Sequence, residues 1–73
     1  MYRDNVDTQF GEVLRKHREE RKLTQADFST LCGIDYTYYG RIERGEHSVT
    51  IKLCQRIADA LGIHISVLFE DLP

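Results

Sequence analysis

The sequence predicts an all-α fold of five short helices without strands. Three observations carry the prediction. Apolar residues recur at i, i+3, i+4 and i+7, the spacing of one face of a helix. Residues suited to starting helices (Thr8, Thr24, Asp35, Thr50, Ser66) alternate with glycines suited to ending them (Gly33, Gly45, Gly62). No segment alternates with a period of two for long enough to make a sheet.

Residues 1–7 have little periodicity and read as a flexible arm. Thr8 offers a cap, and Phe10, Val13, Leu14 and His17 form the stripe of a first helix running through Arg21, with His17 a half-buried packing residue. The stretch from Leu23 to Gly45 reads as two short helices broken by one turn. Thr24 can accept from the free amides of a helix start, and Asp27, three residues on, takes the acidic place of a capping box. Phe28, Leu31 and Cys32 recur at helical spacing until Gly33, where a left-handed cap would cost a residue with a Cβ more. Asp35 is a second N-cap, after which Tyr38, Tyr39 and Ile42 fall on one side before Gly45 closes the unit. Gly40 stands mid-helix, at a loss of roughly 0.5–1 kcal/mol relative to Ala. Either a side chain there would meet a partner or a neighbour, or the glycine is tolerated drift.

After a loop over residues 46–49, Thr50 caps a fourth helix with Ile51, Cys54, Ile57, Ala58 and Leu61 inward, and Gly62 ends it. Ser66 caps a last short helix containing Val67, Leu68 and Phe69, and Pro73 ends the chain. His64 has no evident role.

At 73 residues the chain is expected to be one domain (1–73), near the lower limit for a hydrophobic core to hold alone. Hydrophobic residues at 41 % and charged residues at 30 % fit a globular protein and argue against disorder. No apolar run approaches the roughly 18 residues of a membrane span, and MYRDNVDTQF lacks the apolar region of a signal peptide. The expected location is cytoplasmic, with no membrane partner. Cys32 and Cys54 match no metal or redox spacing and read as reduced core residues; no metal or cofactor motif stands out.

The net charge of −2 does not advertise a nucleic-acid binder, but the charges are unevenly placed. Residues 15–22, RKHREERK, hold five Lys or Arg against two Glu, whereas residues 59–73 hold three acids and no Lys or Arg. A basic face toward a polyanion and an acidic face away from it would be compatible with that net charge.

Helix, glycine turn and helix over residues 24–44 is the helix-turn-helix pattern, whose second helix can enter the DNA major groove. Here the chain resembles the Cro and repressor family, also called the XRE-like regulators, from about Phe10 to Phe69. The most specific pieces are LTQ at 23–25, Gly33, RIERG at 41–45 and ADALGI at 58–63, in order and at the family's spacing. The resemblance implies a compact lambda-repressor-like domain. Lys22 departs from it, standing where the family often has a glycine.

In that family the outward residues early in the recognition helix read base edges, and the matching positions are Tyr36, Thr37 and Arg41. Arg41 can donate to guanine O6 and N7 together. Thr37 can exchange one hydrogen bond or pack on a thymine methyl. For Tyr36, a ring on a thymine methyl and a hydroxyl on a phosphate remain open. The resemblance gives Gln25 a phosphate contact and a bracing role, and pairs Arg18 with Glu43 between the first helix and the recognition helix. Backbone contacts are expected from Tyr38, Arg44, His47, Ser48 and Thr50, with Lys16 and Lys22 as further candidates. Tyr39 matches a core position.

The expected partners are a double-stranded DNA operator and a second copy of the chain, since one recognition helix reads only a few base pairs. Half-sites would lie roughly 34 Å apart. Ile65, Val67, Leu68 and Phe69 offer the dimer surface. A chain of this size without a ligand domain resembles the controller proteins of restriction-modification systems and also small phage repressors; controllers both activate and repress, which makes RNA polymerase a candidate partner. The other class is an antitoxin or anti-regulator working through protein binding, which would lack the steep salt dependence of a DNA reader. An enzyme is the weakest class, because no nucleophile, acid pair, phosphate loop or metal motif is present.

Overall fold

The computed structural model describes residues 6–70 and Leu72. It contains four α-helices, α1 (Val6–Glu20), α2 (Gln25–Cys32), α3 (Tyr36–Glu43) and α4 (Ile51–Leu61), followed by a 3-10 turn, Ile65–Phe69. No strand occurs among the described residues. The expected count of five helices is therefore corrected to four. The last segment, five residues long, is too short for an i→i−4 ladder and closes with three-residue bonds such as Val67 N–H to the His64 carbonyl at 3.0 Å.

The termini of α1 also differ from expectation. Val6 and Asp7 belong to the helix rather than to an arm, so Thr8 is not its cap. A carboxylate suits the positive end of the helix dipole, and Asp7 further accepts from Ser48 Oγ at 2.8 Å. The rest of the expected arm, residues 1–5, lies outside the described residues, as does Pro73. At the other end α1 stops at Glu20, one residue early. Lys22 adopts a left-handed backbone (φ 58°), its N–H reaching the Glu19 carbonyl at 3.0 Å while Leu23 N–H reaches that of Arg18 at 3.2 Å. This is a Schellman closure with lysine in the glycine place, at a cost of roughly 1–2 kcal/mol.

The caps around α2, α3 and α4 follow the sequence. Thr24 and Asp27 form a complete capping box, Asp35 accepts from Tyr38 N–H, and Thr50 accepts from Leu53 N–H. Gly33 and Gly62 close their helices in the left-handed region. At the closing turn the cap is His64 rather than Ser66: its Nδ1 accepts from Ser66 N–H at 3.1 Å, and Ser66 lies inside the turn.

One apolar cluster joins all the elements, with Phe10 and Leu14 of α1, Phe28 and Cys32 of α2, Tyr39 and Ile42 of α3, Cys54 and Ile57 of α4, and Leu68. Two residues expected inside are outside. Ile51 is 72 % exposed because it is the first residue of α4, before that helix meets α2, and Leu31 is 58 % exposed because α2 buries only the narrow side of Phe28, Ser29 and Cys32. Cys32 and Cys54 are free and buried, and burial pushes the Cys32 thiol up to about 11. None of the helices among the described residues is long and apolar enough to cross a membrane.

Candidate nucleic-acid interface

Two helical spacings sort the residues of α3. Tyr39, Ile42 and Glu43 face inward, whereas Tyr36, Thr37, Arg41 and Arg44 are exposed. The Asp35 cap fixes the start of the helix, so the three expected base readers stand on its solvent side within its first six residues. Eight residues of helix span about 12 Å, little more than three base-pair steps of 3.4 Å.

Beneath this surface sits one buried carboxylate. Glu43 Oε2 accepts from Arg18 Nε at 2.6 Å and from the Tyr39 hydroxyl at 2.5 Å, while Oε1 accepts from Arg18 Nη2 at 3.1 Å and Gln25 Nε2 at 2.9 Å. Arg18 Nη1 also donates to the Leu23 carbonyl at 2.8 Å. Side-chain exposures of 11 % for Arg18 and 2 % for Glu43 keep both charges away from bulk water. Burial alone would push the Glu43 carboxyl up, but hydrogen bonds from Arg18, Tyr39 and Gln25 outweigh it and hold the group below its ordinary value. Burial and the bond to Glu43 push the Tyr39 hydroxyl far up, so it stays a donor. The four donors come from α1, α2 and α3, which fixes the recognition helix against its two supports.

The carboxylate decides the orientation of Gln25. A carboxylate only accepts, so the Gln25 amide turns its NH2 inward and its carbonyl outward, toward Gly40. Gln25 therefore braces α3 from inside, with one N–H of its amide left over.

Arg44 is held by Glu46 through Nε (3.0 Å) and Nη2 (3.4 Å). It borders two hollows that share Gln25. One of about 150 Å³ is lined by Gln25, Tyr36, Thr37, Gly40 and Arg44; the other, about 470 Å³, adds Thr8, Glu12, Arg15, Arg18 and Glu43 to Gln25 and Arg44. Arg15 was missed by sequence reasoning although it lies in the basic run that drew attention to Lys16 and Lys22. Lys16 borders a separate shallow groove with Gln9, Glu12 and Val13, and Lys22 is exposed at the α1 end.

Tyr38 of α3 and His47 of the loop after it meet edge to face with ring centres 5.2 Å apart. Ser48 spends its proton on Asp7, so its hydroxyl is not a free donor for a phosphate; Thr50 uses its oxygen as the α4 cap and keeps its proton. The expected dimer residues separate. Leu68 is fully buried and belongs to the core, which removes it from that surface. Ile65 and Val67 are half-buried, and Phe69 stacks on Phe10 at 5.8 Å while staying 37 % exposed. Beside Phe69 lies an apolar hollow bordered by Val6, Val49, Ile51 and Leu72. No cluster of metal-ligating side chains occurs among the described residues.

Known proteins share both this sequence and this geometry. The chain is 36 % identical over 70 residues to the control protein C.MunI of a Mycoplasma species, covering 94 % of this chain and 95 % of that one. Its fold superimposes on the restriction-modification controller protein C.AhdI from Aeromonas hydrophila with a TM-score of 0.82 and 35 % identity, over 86 % of this chain and 91 % of that one. The controller C.Esp1396I bound to a 25 base pair operator site gives a TM-score of 0.81 and 31 % identity, over 93 % and 90 % of the two chains. The helix-turn-helix family pattern matches residues 14–68. With the buried Arg18–Glu43 clamp, the capped α2–Gly33–α3 unit and these relatives in agreement, the chain belongs to the XRE-like helix-turn-helix family.

Proposed function

We propose that this protein is a sequence-specific DNA-binding transcription regulator that works as a homodimer on a pseudo-palindromic operator, in the manner of a restriction-modification controller that activates and represses. The observation that carries the reading is the outward row of Tyr36, Thr37 and Arg41 on a helix clamped from beneath by Glu43. A rigid, solvent-facing α3 is what base readout requires, and its length of about 12 Å is why two copies are needed. The 36 % identity to the control protein C.MunI over nearly its whole length supports a controller. RNA polymerase is the partner an activator of this kind would engage. Selection of bound sites from random DNA tests the reading, with a steep loss of affinity as salt rises as its signature. A flat salt dependence would favour a protein-binding module instead.

Arg41 carries the largest share of base preference in this reading. Arg41→Ala should weaken binding to the selected site by about 1–3 kcal/mol and relax preference at one position per half-site, with far less effect on random DNA. Competition binding on single-base variants of the site measures this, and equal losses on both DNAs would reassign Arg41 to a phosphate.

The dimer surface we assign is the apolar face formed by Phe69 and the neighbouring Ile51 and Val6, on the last turn that also carries Val67. Ile51→Glu is the clean test because the side chain is 72 % exposed and contributes little to the monomer core. A carboxylate buried there without a partner should cost several kcal/mol of association. Sedimentation should then give a helical monomer that has lost operator binding at concentrations where the parent binds. A dimeric Ile51→Glu protein places the interface on the other side of the last turn, where Val67→Glu repeats the test.

A further inference from the structure

We propose that Gly40 is the seat on which Arg44 lies, a positioning residue that presents the Arg44 guanidinium to a nucleic-acid phosphate; the inference rests on the DNA-binding reading above. Side chains on a helix lean toward its N-terminus, so a long side chain at position 44 runs back over position 40, one turn earlier. Arg44 follows that path. A Cβ on Gly40 would stand 3.2 Å from Arg44 Nη1, closer than most Cβ contacts, and 3.7 Å from Gln25 Oε1, an ordinary contact, so the guanidinium lies directly over the glycine.

Glu46 takes Nε and one proton of Nη2, which leaves both Nη1 protons and the second Nη2 proton on the edge away from Glu46. That edge is a planar fork of the kind that takes a phosphate through two bonds. The hollow there is bordered by Gln25, Tyr36 and Thr37, so a phosphate held in it stands beside the base-reading row. Gly40 otherwise has only a cost, because glycine inside a helix is less stable than alanine. The atom in its way is the end of a flexible side chain, so the fold accepts a methyl group and the Arg44 guanidinium is what yields, by a few tenths of an ångström.

Gly40→Ala therefore separates stability from binding. Without DNA the variant should melt higher than the parent by roughly 2–8 °C, the usual gain from alanine in the interior of a helix in a domain of this size. Its affinity should fall by roughly three- to tenfold on selected and random DNA alike, part of the loss of a charge-assisted bond. Arg44→Ala should lower the log–log salt slope by about 1, and adding Gly40→Ala to it should change binding no further. Unchanged binding by Gly40→Ala overturns the seat, and so does an equal further loss in the Arg44→Ala background, which would mean that the methyl group meets DNA itself. A parent that binds no DNA at any salt concentration sinks the regulator reading and the seat with it, whereas a parent that binds and a Gly40→Ala protein that binds equally well sinks the seat alone.

Discussion

Arg18→Ala should lower folding stability by about 3 kcal/mol, the low end of the range for stranding one partner of a buried ion pair. The low end applies because Glu43 still accepts from Tyr39 and Gln25 once Arg18 is gone. Calorimetry should register the loss as a fall in melting temperature of roughly 12–24 °C for a domain of this size. Most of the loss comes from Glu43, left charged and 2 % exposed with only Tyr39 and Gln25 as donors. Arg18→Ala with Glu43→Gln should recover part of the stability, since the amide has no charge to strand; strictly additive losses would sink the pairing. The effect of pH follows the same carboxylate. Its folded value is depressed, so its contribution is present above the ordinary value of 4.5 and is lost as pH falls through the lower folded value. The gap between parent and Arg18→Ala should therefore narrow below about pH 4.5.

The features legible in the sequence are those set by local chemistry. Thr24 with Asp27, Asp35, Thr50, Gly33 and Gly62 each act on amides or carbonyls within a few residues, and each does so where its type suggests. Lys22 is instructive because its left-handed backbone was hinted at only by the resemblance, which often places a glycine there. The misses share a cause of the opposite kind. Ile51 and Leu31 have the right residue type and spacing for burial, yet α4 meets its neighbour one turn later and α2 buries too narrow a side. Leu68 was given to a partner because residue type cannot tell a monomer core from an interface. His64 caps a turn through a ring nitrogen, outside the usual cap residues, and so carried no signal.

The site divides along the same line. The exposure of Tyr36, Thr37 and Arg41 follows from helical period once Tyr39 and Ile42 are taken as core. The uses of Ser48, Gln25 and Arg44 depend on Asp7, Glu43 and Glu46, partners that spacing does not reveal. Even the charge pattern needed the fold: RKHREERK divides among a buried clamp at Arg18, a cleft wall at Arg15 and exposed lysines.

Gly11 passed unremarked in the sequence, yet substituting it should have an effect second only to losing Arg18. It lies inside α1, where alanine would ordinarily stabilise by about 0.5–1 kcal/mol. Here a Cβ would stand 2.3 Å from the Glu43 carbonyl oxygen and 2.7 Å from that of Ile42, both backbone atoms at the end of α3. Ordinary C···O contact lies near 3.3–3.6 Å, so the helices would have to separate by roughly 1 Å. That motion pulls α1 away from the core holding Phe10 and Leu14 and stretches the Arg18–Glu43 bonds across the same gap. Overpacking of this kind costs about 1–3 kcal/mol, and the absence of a flexible side chain to yield puts Gly11→Ala near the top of that range. Gly62→Ala is the control: nothing lies within 4 Å of a Cβ there, so its loss, roughly 1–2 kcal/mol, reports the left-handed backbone alone. Thermal melts should rank the variants Gly40→Ala above parent, Gly62→Ala below it and Gly11→Ala lowest. Only Gly11→Ala should also weaken binding through a displaced α3, with loss of base preference as well as affinity. A Gly11→Ala protein that melts at or above the parent would mean that α1 and α3 do not approach so closely, and the clamp on Glu43 would then need another geometry.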